Sequence, residues 1–203
     1  RRARDLISIS PYVTQHYHGE INGRVHDLPN AVGNAYFEVA RRPERGRFLY
    51  AGRIANGKGL AELVRAAARR SSGVDTLVLA GATPDRKYED QLRDEIRALG
   101  LSDRVRLTGL LSERELLEEF ATAEALVLPS HQETAPMVVQ QAMAAGLPVI
   151  ATRVGGIPHQ IEHENSGLLF EPGDEAALAA LLARVAGDST LAGRLGDAAR
   201  LTA

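Results

Sequence analysis

The sequence of 203 residues contains no cysteine and no tryptophan, and only 4% of its residues are aromatic. Without cysteine, disulfide bonds and thiol catalysis are excluded, and a zinc site would lack its usual thiolate ligands. The formal net charge of −2 gives no reason to expect nucleic acid or an anionic membrane as the principal partner. No apolar run approaches the roughly 18 residues of a membrane span, and no signal-peptide pattern opens the sequence. We therefore expect a cytoplasmic protein without a nucleic-acid partner.

Length and composition limit the size of the hydrophobic core that the chain can form. The hydrophobic content of 44% and the charged content of 25% are ordinary for a globular domain. The length allows one good-sized core, or one core and a piece of another. The sequence begins at Arg1 without an initiator Met, and we expect it to be a fragment of a longer chain.

From Arg47 to Phe170, short apolar runs alternate with amphipathic segments. The short runs suit buried strands, whereas the amphipathic segments have helical periodicity. This alternation predicts one doubly wound α/β domain, a Rossmann-like parallel sheet with helices on both faces. A flexible turn is predicted at Gly155 and Gly156. The predicted strands are 5–10, 24–28, 47–52, 75–81, 104–109, 125–128, 147–151 and 166–171, and the predicted helices are 11–17, 60–70, 85–99, 112–123, 136–146, 175–186 and 189–203.

A polar loop with Glu133 at its tip lies inside the stretch from Glu124 to Ile161. A short apolar run precedes the loop and a helix that opens with Pro136 follows it, which predicts a βαβ unit. Loops of such units gather at the carboxyl ends of the strands, where open α/β sheets bind ligands. Gln141 would lie about two turns along this helix and could reach the same ligand. The competing interpretation is that Glu133 and Gln141 are simply solvent-exposed and have no function.

A glycine-rich loop, Gly52 to Gly59, follows the first strand of this domain. Glycine lets the backbone turn tightly and approach a ligand, and the N-terminus of the following helix favours phosphate. Arg53 and Lys58 add two cations that could neutralise a diphosphate. The loop is therefore a second candidate site on the same edge of the sheet.

Two other interpretations of this loop compete with the diphosphate site. Gly52, Gly57 and Lys58 fit the G-x-x-x-x-G-K pattern of a nucleotide-hydrolysing P-loop, but Gly59 stands where that pattern has a metal-binding Ser or Thr. No later acidic strand end resembles a metal partner. The loop could also be an ordinary turn with two solvated cations, although two phosphate-suited loops in one sheet make this less favoured.

Three histidines lie in the N-terminal segment: His16, His18 and His26. A His-x-His pair indicates a metal site when further ligands lie at matching spacing, and no carboxylate or cysteine does so here. Solvated loop histidines are the better interpretation, and we expect no metal site.

Four segments taken together resemble the donor-binding half of glycosyltransferase family 4: AGRIANGKGLAELVRA, LGLSDRVRLTGLLSERELLEEF, the stretch around Glu133, and ENSGLLFEPGD. Members of this family are retaining enzymes of the GT-B architecture, in which two Rossmann-like domains face each other across a cleft. The match runs in order from about Leu28 to about Ala186. The resemblance implies that 1–27 is the end of an acceptor domain with its linker, that 28–186 is the donor-binding domain, and that 187–203 is a C-terminal helical segment.

The resemblance also implies roles for individual residues. Arg53 and Lys58 match the pair that holds the diphosphate of a nucleotide-sugar and stabilises the leaving group, which suits the charge that develops in the transition state. Glu133 matches an acid that contacts hydroxyls of the donor sugar, and these three residues are the implied catalytic set. The other implied substrate-binding residues are Gly52, Leu110, Leu111, Thr134, Ala135, Met137 and Gln141.

Gln141 departs from the family pattern, which commonly has a second glutamate here for the ribose hydroxyls. Glutamine keeps the length and an acceptor oxygen but loses the charge, so the hydrogen bond weakens. We hypothesise a modest loss of donor affinity or an altered choice of nucleotide.

The resemblance implies a hexosyltransferase that moves a sugar from a nucleotide-diphosphate-sugar to an acceptor with retention of configuration. No metal or other cofactor is expected. A missing N-terminal domain would bind the acceptor, whether a sugar, a lipid or a small molecule, and would account for any peripheral membrane association of the whole protein. We expect the fragment to bind donor and to be inactive alone. Two alternatives stay open, a nucleotide-sugar epimerase of GT-B fold and a non-catalytic nucleotide-sugar-binding module.

Overall fold

The structure, a computed structural model, describes residues 4–20 and 22–203. Strands and helices alternate through most of this part of the chain. Positions 1–3 and 21, which belong to the predicted segment 1–27, lie outside the described residues.

The N-terminal segment forms a small sheet of its own. Strands β1 (Asp5–Ser8) and β2 (Arg24–Asp27) pair in parallel, and helix α1 (Pro11–His16) lies between them in the chain. The Ser10 hydroxyl caps this helix by accepting a hydrogen bond from a first-turn amide. The predicted strand, helix and strand of this segment are confirmed.

Every strand and helix predicted for the rest of the chain is present within a few residues of its expected bounds. Three short helical segments were not predicted: Asn34–Phe37, Ile157–Gln160 and a 3₁₀ turn at Arg70–Ser72. The elements are α2 (Asn34–Phe37), β3 (Arg47–Ala51), α3 (Leu60–Ala68), β4 (Thr76–Ala80), α4 (Arg86–Ala98), β5 (Val105–Gly109), α5 (Glu113–Thr122), β6 (Ala125–Leu128), α6 (Met137–Ala144), β7 (Val149–Thr152), α7 (Ile157–Gln160), β8 (Leu168–Phe170), α8 (Glu175–Gly187) and α9 (Ser189–Thr202).

Six strands form the main sheet in the order β5-β4-β3-β6-β7-β8. All neighbouring pairs are parallel. From β3 the chain builds outward through β4 to β5, then returns to the other side of β3 and builds outward through β6 and β7 to β8. This doubly wound order opens a crevice at the carboxyl ends of β3 and β6, where the direction reverses and where ligands bind in such sheets. The fold-class prediction is confirmed, and the two candidate loops flank this crevice.

Helices cover both faces of the sheet. Helix α3 packs against α4 and α8, whereas α6 packs against α2 and α9. Five of the six strands are almost entirely buried, as expected for parallel strands covered on both sides. In the edge strand β5 only Val105 is buried. Helix α9 buries Leu191, Leu195 and Ala199.

Within residues 4–20 and 22–203, no single helix is long and apolar enough to cross a membrane. Helices α8 and α9 reach the length and hydropathy of a membrane span only when taken as a pair, and the chain bends by 100° between them.

Candidate functional site

The loop after β3 begins at Gly52 and leads into α3. Its start is held by the buried Tyr50, whose phenol donates a hydrogen bond to the carbonyl oxygen of Arg53 at 2.8 Å. Burial, together with the nearby Glu133 carboxylate, raises the pKa of Tyr50, so the phenol stays a neutral donor. Arg53 is exposed, and none of the salt bridges among the described residues includes it. Its guanidinium is therefore available to an anion.

Gly59 brings the two loops of the site into backbone contact. It has a φ of 67° at the N-cap of α3, a conformation that glycine adopts without strain. A Cβ atom at this position would overlap the carbonyl oxygen of Pro129, which follows β6. Beside this contact, the amide of His131 donates to the carbonyl oxygen of Gly57 at 2.9 Å. No side chain fits at position 59 without a shift of the backbone, which argues against the P-loop interpretation.

Lys58 and Glu133 form an ion pair between the two loops. The Lys58 Nζ atom lies 2.7 Å from Glu133 Oε1, and the side chains are 19% and 14% exposed. The strand order explains the contact, because β3 and β6 are neighbours and the loops that follow them lie side by side. A second link joins His131 Nε2 to Glu62 Oε1 at 2.9 Å. The expectation that both candidate loops share one edge of the sheet is confirmed.

Gly155 and Gly156, after β7, hold the Glu133 loop from the other side. A Cβ atom at Gly155 would overlap the carbonyl oxygen of Glu133, and one at Gly156 would overlap that of Thr134. The amide of Gly156 also donates to the Glu133 carbonyl oxygen at 3.3 Å. The predicted turn is present, but it is packed against the site rather than being a free flexible turn. Its glycines are needed because two backbones approach closely.

A groove of about 300 Å³ lies at the carboxyl ends of the strands, and its lining includes Arg53 but neither Lys58 nor Glu133. Its walls are mostly apolar, and Arg53 and Gln141 are the polar side chains in its lining. Leu110 is 80% exposed at its rim. Five of the predicted substrate-binding residues therefore meet in one groove. The lining residues are Ala51, Gly52, Arg53, Ala80, Gly81, Ala82, Leu110, Leu111, Leu116, Val138 and Gln141.

Three other predicted residues lie on the connection into α6 and not in the groove lining. Thr134 is exposed, Ala135 is partly buried, and Met137 is 46% exposed. Pro136 is the N-cap of α6 with a ψ of 113°, so the helix begins one residue later than predicted. The roles of these residues toward sugar or phosphate stay predictions.

Tyr50 and Glu62 support the site and were not predicted. Tyr50 occupies a strand position that is typical of any core aromatic residue. Glu62 lies in the first turn of α3, where an acidic residue commonly favours the helix dipole. No local pattern in the sequence distinguishes them, because their partners lie in a loop whose path depends on the whole sheet.

A larger cavity of about 400 Å³ lies away from the crevice. Its two arginines are already bonded within the fold. The Arg41 guanidinium donates to the carbonyl oxygens of Phe120 and Ala123. Arg45 Nε donates to the carbonyl oxygen of Ala186 at 3.0 Å. The groove lined by Arg53 and Gln141 is the better candidate, because its exposed cation forms no salt bridge with any residue in 4–20 or 22–203.

Metal ligands do not gather in the part of the chain that the structure describes. No three His, Asp or Glu side chains there are placed to hold an ion. His26 Nε2 instead lies 2.9 Å from Asp5 Oδ1.

The comparisons with known sequences agree with this geometry. A family model described as "Glycosyl transferases group 1" matches residues 34–202. A glycogen synthase from Mycobacterium tuberculosis is 35% identical over 166 residues, which cover 80% of this chain and 39% of that protein. A D-inositol 3-phosphate glycosyltransferase from Arthrobacter sp. is 34% identical over 205 residues, which cover 94% of this chain and 48% of that protein. The chain thus spans less than half the length of these relatives.

Solved structures show the same architecture. A sucrose-phosphate synthase from Thermosynechococcus elongatus superimposes with a TM-score of 0.85 at 28% identity, over 98% of this chain and 53% of that one. The Anabaena protein HepE, solved in complex with UDP-glucose, superimposes with a TM-score of 0.79 at 22% identity, over 98% of this chain and 58% of that one. These structural neighbours are GT-B proteins, so the predicted GT-B domain fold is confirmed.

Proposed function

Because the chain belongs to the family of group 1 glycosyl transferases, we propose that it is the donor-binding domain of an enzyme that transfers a sugar from a nucleotide-diphosphate-sugar to an acceptor. Within that family we assign it to glycosyltransferase family 4, with retention of anomeric configuration. The acceptor, a sugar, a lipid or a small molecule, would bind to a second domain that faces this one across the crevice.

The observation that carries the proposal is the Lys58–Glu133 ion pair at the point where the strand order reverses, with the exposed Arg53 on the same loop as Lys58. Two cations beside a helix N-terminus suit a diphosphate. A departing nucleoside diphosphate gains negative charge in the transition state, and preorganised cations stabilise that charge. Glu133 is placed next to Lys58, where its carboxylate can accept hydrogen bonds from hydroxyls of a sugar attached to the diphosphate.

The groove beside these residues suits the nucleoside. Its apolar walls can pack against a base, and Gln141 can accept a hydrogen bond from a ribose hydroxyl. The HepE complex makes UDP-glucose the first donor to test. We propose that the reaction needs no metal, because Arg53 and Lys58 can do the electrostatic work of one. We also propose a cytoplasmic location, with any membrane contact made through the acceptor domain.

Isothermal titration calorimetry of this chain with UDP, GDP, ADP and their sugar conjugates, without magnesium, tests donor binding. We expect one nucleotide series to bind, and its affinity to fall at least about tenfold in Arg53→Ala and in Lys58→Ala. The matched control is Lys87→Ala, which removes an exposed cation from α4 and should leave affinity unchanged. The donor-domain proposal is wrong if no nucleotide binds, or if the control loses as much affinity as the site variants.

Transfer itself is tested in a protein that carries an acceptor domain as well. We expect release of nucleoside diphosphate to depend on acceptor, with the anomeric configuration of the product retained. Isomerised sugar released without an acceptor would indicate an epimerase instead. Donor binding without any release would indicate a binding module.

A further inference from the structure

We infer that the Lys58–Glu133 ion pair makes the site select a glycosylated nucleoside diphosphate over the free nucleoside diphosphate, so that Glu133 disfavours the spent donor. This inference rests on the proposed donor site.

The ion pair sets the charge of the site before a ligand arrives. Lys58 Nζ and Glu133 Oε1 lie 2.7 Å apart and both side chains are largely buried, so their charges cancel locally. The loop carries two cations, Arg53 and Lys58. Of these two, the exposed Arg53 has no salt-bridge partner among the described residues. A phosphate that binds Lys58 must share or displace Glu133, and its outer oxygens come close to the carboxylate.

The two ligands differ in what they place beside that carboxylate. The terminal phosphate of a free nucleoside diphosphate has a second ionisation near pKa 6, and it is mostly doubly charged at about pH 7.5. A glycosyl ester removes one of these charges and puts hydroxyl donors in its place. The free diphosphate therefore meets charge repulsion at Glu133, whereas the glycosylated one can donate hydrogen bonds to it.

The backbone of Glu133 cannot easily move aside to relieve this repulsion. Its carbonyl oxygen accepts from the Gly156 amide, and Gly155 approaches it so closely that no Cβ atom would fit between the two backbones. On the other side, His131 is tied to Gly57 through its amide. The backbone of the loop is thus clamped by contacts on both sides, so the carboxylate can leave Lys58 only by rotation of the Glu133 side chain.

The experiment compares three ligands by calorimetry on this chain at about pH 7.5 without magnesium: UDP, UDP-glucose and the β-methyl ester of UDP. The ester lacks the second terminal charge but has no sugar hydroxyls, so it separates repulsion from hydrogen bonding. The variant is Glu133→Gln, which keeps length and an acceptor for Lys58. The control is Glu171→Gln, which neutralises an exposed carboxylate directly after β8 on the same edge of the sheet.

In the unaltered chain we expect the methyl ester to bind more tightly than UDP. In Glu133→Gln we expect UDP to bind about three- to tenfold more tightly and UDP-glucose to bind more weakly, so that the ratio of their dissociation constants changes at least about tenfold. The advantage of the methyl ester over UDP should disappear in this variant. Glu171→Gln should leave all of these ratios unchanged.

Two other outcomes are distinguishable. If the unaltered chain binds UDP and UDP-glucose but Glu133→Gln weakens both to the same extent, the selectivity inference is wrong and the donor-site proposal stands. If the unaltered chain binds none of the three ligands, and the guanosine and adenosine counterparts also fail to bind, the inference and the proposed function are both overturned.

Discussion

The carbonyl oxygen of Pro129 occupies the space where a Cβ atom of residue 59 would lie, so Gly59 lets the loops after β3 and β6 touch through their backbones. Gly59 also has a left-handed φ of 67°. Position 59 is where a P-loop has the Ser or Thr that binds its metal. In this chain the space for that side chain is used to bring Lys58 and Glu133 together.

Replacing Gly59 with the serine of the P-loop pattern should therefore destabilise the fold. We expect Gly59→Ser to lower the free energy of unfolding by about 3 kcal/mol or more, because it combines backbone strain with an overlap that requires the loops to separate. The control is Gly57→Ser, which also has a positive φ, of 80°, but no atom within 4 Å of a Cβ. Its cost should be about 1 kcal/mol. Urea unfolding measures the free energy of unfolding of both variants. Equal losses of stability in the two would show that the contact with Pro129 is unimportant.

The clamp formed by Gly156 should affect binding as well as stability. Gly156 has an ordinary φ of −84°, so Gly156→Ala introduces no backbone strain. Its Cβ atom would instead overlap the Thr134 carbonyl oxygen and crowd the Ser10 hydroxyl. We expect the Glu133 loop to shift and donor affinity to fall at least about fivefold in calorimetry. Gly187→Ala, with no atom within 4 Å of its Cβ, should keep full affinity. A donor affinity that survives Gly156→Ala would mean that the clamp does not position Glu133.

The role of the Gln141 side chain in donor binding can be tested by replacing its amide with a carboxylate. We expect Gln141→Glu to raise the affinity for at least one nucleotide roughly fivefold, because a hydrogen bond to a carboxylate is stronger than one to a neutral amide. The matched control is Gln91→Glu, an exposed position on α4, which should change nothing. Titration with the uridine, guanosine and adenosine diphosphates measures the effect. Identical affinities for every nucleotide would refute the hypothesis that Gln141 weakens or redirects donor binding.

Glu124, directly before β6, should make the stability of the fold depend on pH. It is buried, and Oε2 accepts from the amide of Gly46 at 2.6 Å. Burial raises the pKa of this carboxyl above its usual value, which means that the folded state holds the proton more tightly than the unfolded state does. The stability that Glu124 contributes is therefore complete below its unfolded pKa and is lost as the pH rises through the raised folded value.

The measurement is urea unfolding of the unaltered chain and of Glu124→Gln between about pH 4 and pH 7. Relative to the variant, the unaltered chain should lose stability as the pH rises. Glu171→Gln, at an exposed position, serves as the control and should track the unaltered chain throughout. A difference between the chain and Glu124→Gln that stays constant, or grows in favour of the unaltered chain, would contradict the prediction.

Local patterns in the sequence were sufficient for most of the fold. Ser112 and Glu115, three positions apart, form a capping box at the start of α5. Asp85 and Asp174 likewise cap α4 and α8. The short unpredicted helices α2 and α7 have four residues each, too few for a hydrophobic period to be recognised.

The sequence by itself determined the alternation of strands and helices, the doubly wound class of the sheet, and which loops carry the cations and the carboxylate. These follow from composition and periodicity within short windows. Only the tertiary structure decided that Lys58 meets Glu133, although 75 positions separate them in the chain. It also decided that Tyr50, Glu62 and the pair Gly155 and Gly156 support the site. The physical reason is that these contacts depend on the order of the strands and on the close approach of their loops, and both are set by packing of the whole core.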